Sequence, residues 1–451
     1  MEQPEDPKLN MVDLLPDDVL ADILRRLAPR PLAACRCVCK PWRAVVDGHR
    51  LLRADLLPLS LGGIFINFHE VLTSFFLRRP SARPPAAAIS GKFEDFTPSA
   101  ARSTVVDHCN GLLLLRSRYV VNPATQRWAA FPEPPPPRPG ITRSFYHDEY
   151  LVFDPTVSPH YEVFLIPSVT PEEFVSKKLR PKVEESEWPP SPCFLSVFSS
   201  STGQWEERSF VREGEAAGTI ADMRSQPLLE QYNAVYWKRA LYVHREANFV
   251  MRISPSKSKY QVIKLPIAQD GYVDPFLARS EKGVYLAVLD RCHLRVWILN
   301  ESCEQMKWEL KYDKEIQLSF QRWNYDEESV GPWTLHYSRR DVYDGDDTNY
   351  NAEVAERKFE WDSDSDDVLD LEDRVQRSSH GGFLILGFHP YKEVIFLDEG
   401  SSRGLAYHLG TSKAQDLGRL RPNFFDHWHV EGVNRSFVYT PCWIGELSNG
   451  I

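Results

Sequence analysis

Residues 14–53 read LLPDDVLADILRRLAPRPLAACRCVCKPWRAVVDGHRLLR, and this stretch decides the fold of the N-terminal part of the chain. Pro16 suits a first helical turn because its missing N–H is not needed there, and the two aspartates that follow complement the helix dipole. Apolar residues then recur at helical spacing and predict one apolar stripe, formed by Val19, Leu20, Ile23, Leu24 and Leu27.

Two further short helices are predicted within the same stretch. Pro29 and Pro31 end the first helix and begin a second one, which carries Leu32, Ala33, Cys35, Val38 and Cys39. Pro41 ends the second helix, and a third begins at Trp42. About forty residues bury too little apolar surface to be stable alone. We therefore interpret the unit as a docking module, with a helical cap packed on the rest of the chain as the alternative.

The order and spacing of these residues resemble the F-box family, whose pattern is Leu-Pro, an apolar helix, and then Val-Cys-Lys-x-Trp-Arg. The resemblance implies a three-helix module that binds the Skp-family adaptor of a cullin-based (SCF) ubiquitin ligase. Cys39, Lys40 and Arg43 complete the matching pattern. The adaptor-binding residues that the resemblance implies are Leu15, Pro16, Val19, Ile23, Leu24 and Leu27, together with Leu32, Val38 and Trp42, which would be shared with the core of the module.

The charge of the chain is concentrated in one segment. Residues 341–373 hold fourteen acidic and two basic residues, whereas the whole chain has a net charge of −10. The rest of the chain is therefore nearly neutral, which disfavours nucleic-acid binding. Such a dense run of like charges predicts a solvated surface insertion. The functional alternative is a docking strip for a basic partner or a phospho-switch at Ser363.

No apolar run is long enough for a membrane helix, so no membrane partner is expected.

From residue 58 onward, short apolar runs separated by turn formers replace the helical pattern, and we interpret them as strands. Many short strands without alternating helices indicate an all-β domain. The runs are 112–115, 119–121, 150–153, 161–165, 194–198, 234–237, 241–244, 249–253, 284–289, 294–299, 383–388, 394–397 and 405–408. Residues 78–90, 131–140 and 168–192 are rich in proline or charge and are predicted to be loops.

A weak repeat organises these strands, in which a polar turn is followed by an aromatic residue. Its copies are 122–128, 199–205, 254–260, 300–308 and 409–416, of which the last ends in Asp416. The spacing is typical of β-propeller blades, with the aromatic residue packed between neighbouring blades. Residues 153–161 could add one blade, so six or seven blades are expected; a β-sandwich remains the alternative.

The first copy of the repeat carries a second resemblance. Residues 108–115 followed by 121–128 are similar to the opening of the kelch-like F-box-associated region of plant F-box proteins, with matches at Asn110, Gly111, Asn122, Pro123, Thr125 and Trp128. This resemblance implies a substrate-recruiting propeller. The predicted chain is thus an α+β multidomain protein, with residues 1–10 disordered, an F-box at 11–57, a linker and first strands at 58–104, and a propeller at 105–451 containing the 341–373 insertion.

No motif for catalysis, cofactors or metals is found. The chain lacks Gly-rich phosphate loops, a nucleophile elbow and an HExxH helix. Cys35, Cys37 and Cys39 cannot converge on one ion from a helix, and His427 and His429, with Cys442 downstream, lack a visible further ligand. We therefore expect no cofactor and no bound metal.

These observations favour a non-catalytic substrate receptor that binds the adaptor, is carried on the cullin scaffold and recruits an unknown target protein. The candidate anchors for the target are Trp237, Trp323, Trp333 and Trp428, although each also suits a blade core. A scaffold outside any ligase and a propeller enzyme with a regulatory cap stay open as alternatives. No signal-peptide pattern opens the sequence, so we expect the protein in the cytoplasm and/or nucleus.

Overall fold

The structure is a computed structural model with side chains, and it describes the greater part of the chain. The described residues are 16–27, 32, 35–36, 38–49, 51, 61–79, 89–98, 103–136, 145–172, 180–226, 233–244, 248–267, 274–302, 306–316, 332–336, 383–400, 403–421, 432–443 and 447. Among them, no helix has the length and apolar character needed to cross a membrane.

Two helices define the N-terminal module, α1 at Asp17–Arg25 and α2 at Lys40–Gly48. The predicted second helix lies mostly outside the described residues, although Leu32 and Cys35 have helical backbone. One small core holds the module together, formed by Leu20, Ala21, Leu24, Leu32, Val45 and Val46. The apolar stripe of α1 therefore divides, because only part of it faces this core.

The remaining elements are mostly short strands. Within the described ranges they are β1 Gly63–Phe68, β2 Ser74–Arg78, β3 Val105–Cys109, β4 Leu112–Leu115, β5 Tyr119–Asn122, β6 Arg127–Ala130, β7 Phe145–Phe153, β8 Tyr161–Val169, β9 Glu187–Trp188, β10 Cys193–Ser199, β11 Gln204–Glu213, β12 Gly218–Thr219, β13 Ala234–Trp237, β14 Ala240–His244, β15 Phe249–Ser254, β16 Lys259–Lys264, β17 Phe276–Ser280, β18 Gly283–Asp290, β19 His293–Asn300, β20 Lys307–Glu315, β21 Thr334–His336, β22 Phe383–Phe388, β23 Val394–Glu399, β24 Arg403–His408, β25 Lys413–Arg419 and β26 Val433–Tyr439. Two short helices lie among them, α3 Pro181–Glu184 and α4 Ile220–Arg224.

The strands form antiparallel meanders of four. The strand sets β3–β6, β17–β20 and β22–β25 are separate sheets, whereas β7, β8, β10 and β11 join β13–β16 through a parallel pairing of β11 with β16. The first strand of each meander lies innermost and packs against the first strand of its neighbour: β3 against β7, β13 against β17, and β17 against β22. This ring of sheets is the arrangement of a β-propeller and not of a sandwich.

A further sheet closes the ring with strands from distant parts of the sequence, in the order β21-β2-β1-β26. β26 pairs with β1, so that Phe437 lies opposite Phe65, and β26 also contacts β3 and β22. The Ser436 hydroxyl donates to the Leu386 carbonyl at 2.7 Å, and the Asn67 amide donates to the Val105 carbonyl at 2.8 Å. Strands β1 and β2 thus belong to the same sheet as β26, and the predicted boundary at residue 105 does not separate two units.

Every copy of the predicted repeat occupies the same place in its meander, because each copy connects the third strand to the fourth. The Trp205 side chain bridges two meanders: it packs against Phe131 and Phe198, and its indole N–H donates to the Pro132 carbonyl at 3.0 Å. The aromatic residue of the second copy therefore packs between two meanders, as predicted.

Two expectations from the sequence were wrong. Residues 153–161 add no blade, because they join β7 to β8 within one meander. Residues 168–192 are not a plain loop, because they contain α3 and β9, and β9 pairs with β12. This inserted structure lies between β8 and β10, and it lengthens the step between the first two copies of the repeat.

Candidate partner-binding surfaces

The first candidate surface is the outer face of α1. The side chains of Val19, Ile23 and Leu27 are 45%, 49% and 37% exposed. Val19 and Ile23 lie four residues apart on one side of α1, and Leu27 lies two residues beyond its end. Val38, just before α2, is 65% exposed. We call these four residues the apolar face. Four exposed large aliphatic side chains in so small a module are typical of an interaction site.

Two predicted contact residues lie in the core of the module. Leu24 is only 1% exposed and Leu32 is 4% exposed. Leu32 was expected to be shared with this core, whereas Leu24 was expected at the adaptor contact alone. Both support the apolar face from beneath, and their contact with an adaptor stays a prediction. Trp42 is half-buried against the same core, while Pro16 is exposed at the start of α1. Leu15 lies outside the described residues.

An ion pair between a buried arginine and an exposed aspartate fixes the geometry of the module. The Arg36 guanidinium donates to both carboxylate oxygens of Asp47, at 2.7 and 3.0 Å, and Arg36 is buried. Paired N–H···O bonds of this kind are short and directional. They hold the segment before α2 against the last turn of α2, and so they fix Val38 relative to the helices.

The second candidate surface is a cavity at the centre of the ring of sheets. It is open to solvent, and its space of about 770 Å³ includes part of that solvent. Its walls come from the innermost strands β3, β13, β17, β22 and β26 and from the residues that flank them.

Arg279 carries the positive charge of this cavity. Its guanidinium donates to the Asn110 side-chain oxygen at 2.9 Å, and its Cζ atom lies 5.8 Å from the centre of the Trp237 ring. The Asn110 amide in turn donates to the Phe153 carbonyl at 2.6 Å. Asn233 also lines the cavity.

Burial changes the protonation of three consecutive residues on β3. Burial raises the pKa of Asp107 to about 7, although backbone N–H groups of Leu151 and His108 oppose the shift. Burial, with the nearby Arg279, lowers the pKa of His108 to about 4, so this ring is neutral at pH 7. Burial raises the pKa of Cys109 to about 12, which keeps its thiol protonated.

The residues of the second sequence resemblance have structural roles. Asn110 and Gly111 form the two-residue turn between β3 and β4, with positive φ at both positions, as Asn-Gly hairpins require. Asn122 is fully buried; its side chain accepts from the Ala124 N–H at 3.1 Å and donates to the Cys442 carbonyl at 2.9 Å. These residues fasten the β3–β6 sheet to the residues that follow β26.

The remaining predicted site residues divide between the core and undescribed segments. Trp333 is 1% exposed and packs against Phe396, so it is a core residue and not a surface anchor. Trp237 is half-buried beside Arg279. Trp323, Trp428, Ser363, Cys37, His427 and His429 lie outside the described residues. Within the described ranges, no group of three potential metal ligands is found.

Sequence reasoning missed Arg279 and Asn233. Neither belongs to a recognisable motif, and only the ring of inner strands brings them to the cavity of Asn110. Their signal in the sequence is weak, since an arginine in an otherwise apolar strand (FLARS) and an asparagine before a strand are both common.

Comparison with known proteins agrees with both parts of the chain. Residues 12–54 match the F-box domain family, and residues 82–342 match the family described as F-box protein At3g26010-like, β-propeller. Among relatives from Arabidopsis thaliana, At3g16210, which is named among the F-box proteins, is 25% identical over 59% of this chain and 65% of its own length. The F-box protein At3g07870 is 28% identical over 32% of this chain and 34% of its own length. The F-box protein At5g07610 is 21% identical over 67% of this chain and 70% of its own length.

The chain thus spans less than two thirds of the first two relatives that it matches. A solved structure described as "YCF48 bound to D1 peptide" aligns with 80% of this chain and 82% of its own at 8% identity and a TM-score of 0.31, values too low to bear on fold or function. The propeller family covers more than half of the chain and follows an F-box match, and the relatives are plant proteins. This chain belongs to the F-box proteins with an At3g26010-like β-propeller.

Proposed function

We propose that this protein is the substrate-recognition subunit of an SCF-type ubiquitin ligase. The observation that carries the proposal is the apolar face, Val19, Ile23, Leu27 and Val38, which lies exposed within the segment that matches the F-box domain. Exposed apolar side chains gain roughly 25 cal/mol per Å² when a partner covers them. A Skp-family adaptor, carried by a cullin, is the partner that an F-box implies.

The β domain supplies the other half of the proposal. We propose that its antiparallel meanders, together with the closing sheet, make a six-bladed propeller. Inner strands β3, β7, β13, β17, β22 and β26 would each begin one blade. This scaffold would hold a target protein, with the central cavity and the surrounding loops as the binding face.

The proposed mechanism is proximity without bond chemistry in this chain. Docking of the F-box on the adaptor would place the bound target near a ubiquitin-charged enzyme carried elsewhere on the complex. The effective concentration of target lysines near that enzyme would then rise. The proposal includes no nucleic-acid or membrane partner, and it places the protein in the cytoplasm and/or nucleus.

Affinity purification from cells tests the proposal. The full chain is compared with a variant carrying Val19→Asp, Ile23→Asp and Leu27→Asp, and with a matched control carrying Val157→Asp, Val211→Asp and Leu310→Asp, three similarly exposed positions of the β domain. Adaptor and cullin should accompany the full chain and the control, and should be lost from the first variant. Equal recovery with both variants, or no recovery with the unaltered chain, would refute the proposal.

A further inference from the structure

The central cavity presents a hydrogen-bond donor without a matching acceptor. The side-chain amide of Asn233 lines it, and its nitrogen is buried without a hydrogen-bond partner among the described residues. An unpaired buried donor costs about 1–3 kcal/mol, so this amide favours an occupant that accepts hydrogen bonds.

The charge of Arg279 points to the same kind of occupant. Its side chain has one hydrogen bond, to the neutral Asn110, and one ring contact, with the neutral Trp237. Within the described residues it forms no ion pair, whereas Arg403, Arg208 and Arg224 each pair with a carboxylate. Arg279 is therefore a half-buried guanidinium held in place by neutral groups.

The titratable groups that line the cavity with Arg279 supply little negative charge to it. His108 is neutral at pH 7 because burial lowers its pKa to about 4. Asp107 lines the same cavity, but its carboxyl accepts the Leu151 N–H at 2.7 Å and is half-protonated near pH 7, since burial raises its pKa to about 7. The remaining walls combine apolar side chains, such as Phe276, Leu277 and Phe388, with polar ones, such as Ser436 and Thr440.

We propose that the central cavity binds a carboxylate group, which the Arg279 guanidinium and the Asn233 amide hold together. Guanidinium and carboxylate groups match in shape and charge, and their hydrogen bonds are strong in a partly dry site. The apolar walls would accept the carbon atoms next to the carboxylate. This site deepens the proposed target-binding role and rests on it for its biological meaning, but the binding itself requires no adaptor.

Three probes distinguish the sources of the carboxylate. The first is a fluorescein-labelled, amidated pentapeptide with a central glutamate among glycines. The second is its glutamine twin with a free C-terminal carboxylate, and the third is unlabelled N-acetylglutamate as a competitor. The amidated glutamine peptide serves as the uncharged reference. Fluorescence anisotropy with the purified full chain measures binding.

Arg295 provides a matched control for Arg279. It lies in the same sheet and is half-buried, with its Cζ atom 5.7 Å from the centre of the Trp297 ring, but it does not line the cavity. We expect Arg279→Met to weaken the binding of a carboxylate probe about tenfold or more, as the loss of a charged hydrogen bond does. Arg295→Met should leave binding unchanged.

Asn233→Asp offers a second variant of nearly identical shape, in case Arg279→Met disturbs the fold. It adds a negative charge to the cavity wall and should abolish carboxylate binding, and its melting temperature, measured alongside, reports whether the fold is kept. The proposal is overturned if no carboxylate probe binds better than the uncharged reference, or if the variants at 279 and 233 bind as well as the unaltered chain. Failure here would leave adaptor recovery intact, so it is distinguishable from failure of the receptor role.

Discussion

Gly111 and Gly203 both have left-handed backbone, with φ of +89° and +70°, but their surroundings differ. A Cβ atom at residue 111 would lie 2.4 Å from the Cβ and 2.6 Å from the backbone nitrogen of Cys442, whereas nothing lies within 4 Å at residue 203. The glycine of the Asn-Gly turn is therefore needed twice, once for its conformation and once for the close approach of the chain after β26.

We expect Gly111→Ala to destabilise the protein by about 3 kcal/mol, since a left-handed conformation costs about 1–2 kcal/mol and overpacking adds about 1–3 kcal/mol. Gly203→Ala should lose only the conformational part of this stability, about 1–2 kcal/mol. Urea unfolding of the two variants measures the difference. Equal losses would mean that the chain after β26 does not pack against this turn.

Asp107 should make stability depend on pH. Its folded-state pKa of about 7 lies above the ordinary value of 3.8. The folded protein therefore binds more protons than the unfolded chain between these values. The contribution of Asp107 is fully present below about pH 4 and is lost as pH rises through about 7. Asp107→Asn removes the ionisation, so the free energy of unfolding of this variant should fall less over the same range.

Asp222 supplies a control with the opposite sign. Hydrogen bonds from Thr219 hold the pKa of this exposed carboxyl below its usual range. The contribution of Asp222 to the stability of the fold is present above the usual pKa range of a carboxyl group, and it is lost as the pH falls through the lowered pKa. Urea unfolding at several pH values should give opposite trends for Asp107→Asn and Asp222→Asn relative to the unaltered chain. Parallel trends would contradict the assignment.

At the scale of elements, α1 has two functions on two faces. Leu24 lies in the core, so Leu24→Ala should destabilise the module by about 2–5 kcal/mol. Ile23 is half-exposed, so Ile23→Ala should change stability by no more than about 0.5 kcal/mol. Hydrogen exchange of α1 amides in the full chain would compare the two variants. A larger loss at Ile23 would mean that this side chain is already covered within the chain.

The sequence predicts the middle strands of the meanders far better than the outer ones, and it also missed the inner strands β3, β17 and β26. β4, β13 and β22 were located at their observed bounds because they carry continuous apolar residues. β11 and β20 were missed because most of their side chains are charged and exposed, so they lack the alternation that marks a half-buried strand. β20 is held by backbone hydrogen bonds to β19, and β11 by those to β10 and β16, and such support leaves little trace in composition.

In the candidate sites, too, local features were predicted and long-range contacts were not. The sequence predicted the apolar face because helical periodicity groups Val19, Ile23 and Leu27. The sequence did not show which residues of the stripe are buried, since that depends on where α2 packs, and Leu24 lies in the core. The cavity residues Arg279, Asn233 and Asn110 are brought together only by ring closure over more than 150 residues of chain, as the span of 169 between Arg279 and Asn110 illustrates.

At the scale of the whole molecule, stability depends on closure of the ring by β26. Its residues Val433, Phe437 and Tyr439 are buried, and it pairs along its length with β1. Ending the chain at residue 432 removes these side chains, each worth about 2–5 kcal/mol. Their sum is comparable with the whole stability of a typical domain, about 5–15 kcal/mol.

We therefore expect a chain ending at residue 432 to lose its cooperative thermal transition and its near-ultraviolet circular dichroism. A chain ending at residue 447 keeps β26, Cys442 and the buried Leu447, and it should melt like the full chain. If the shorter chain melts cooperatively within a few degrees of the longer one, closure by β26 does not stabilise the propeller.

The role of the molecule as a receptor depends on the exposed apolar face and not on the core beneath it. The most direct measurement is a calorimetric titration of a purified Skp-family adaptor into the full chain, into Ile23→Asp and into Leu310→Asp, a control at a strand position that is 50% exposed. We predict binding by the full chain and by Leu310→Asp, and a loss of about thirtyfold or more for Ile23→Asp, as expected for a hot-spot side chain. Equal affinities for the two variants, or no binding by the unaltered chain, would contradict docking through α1.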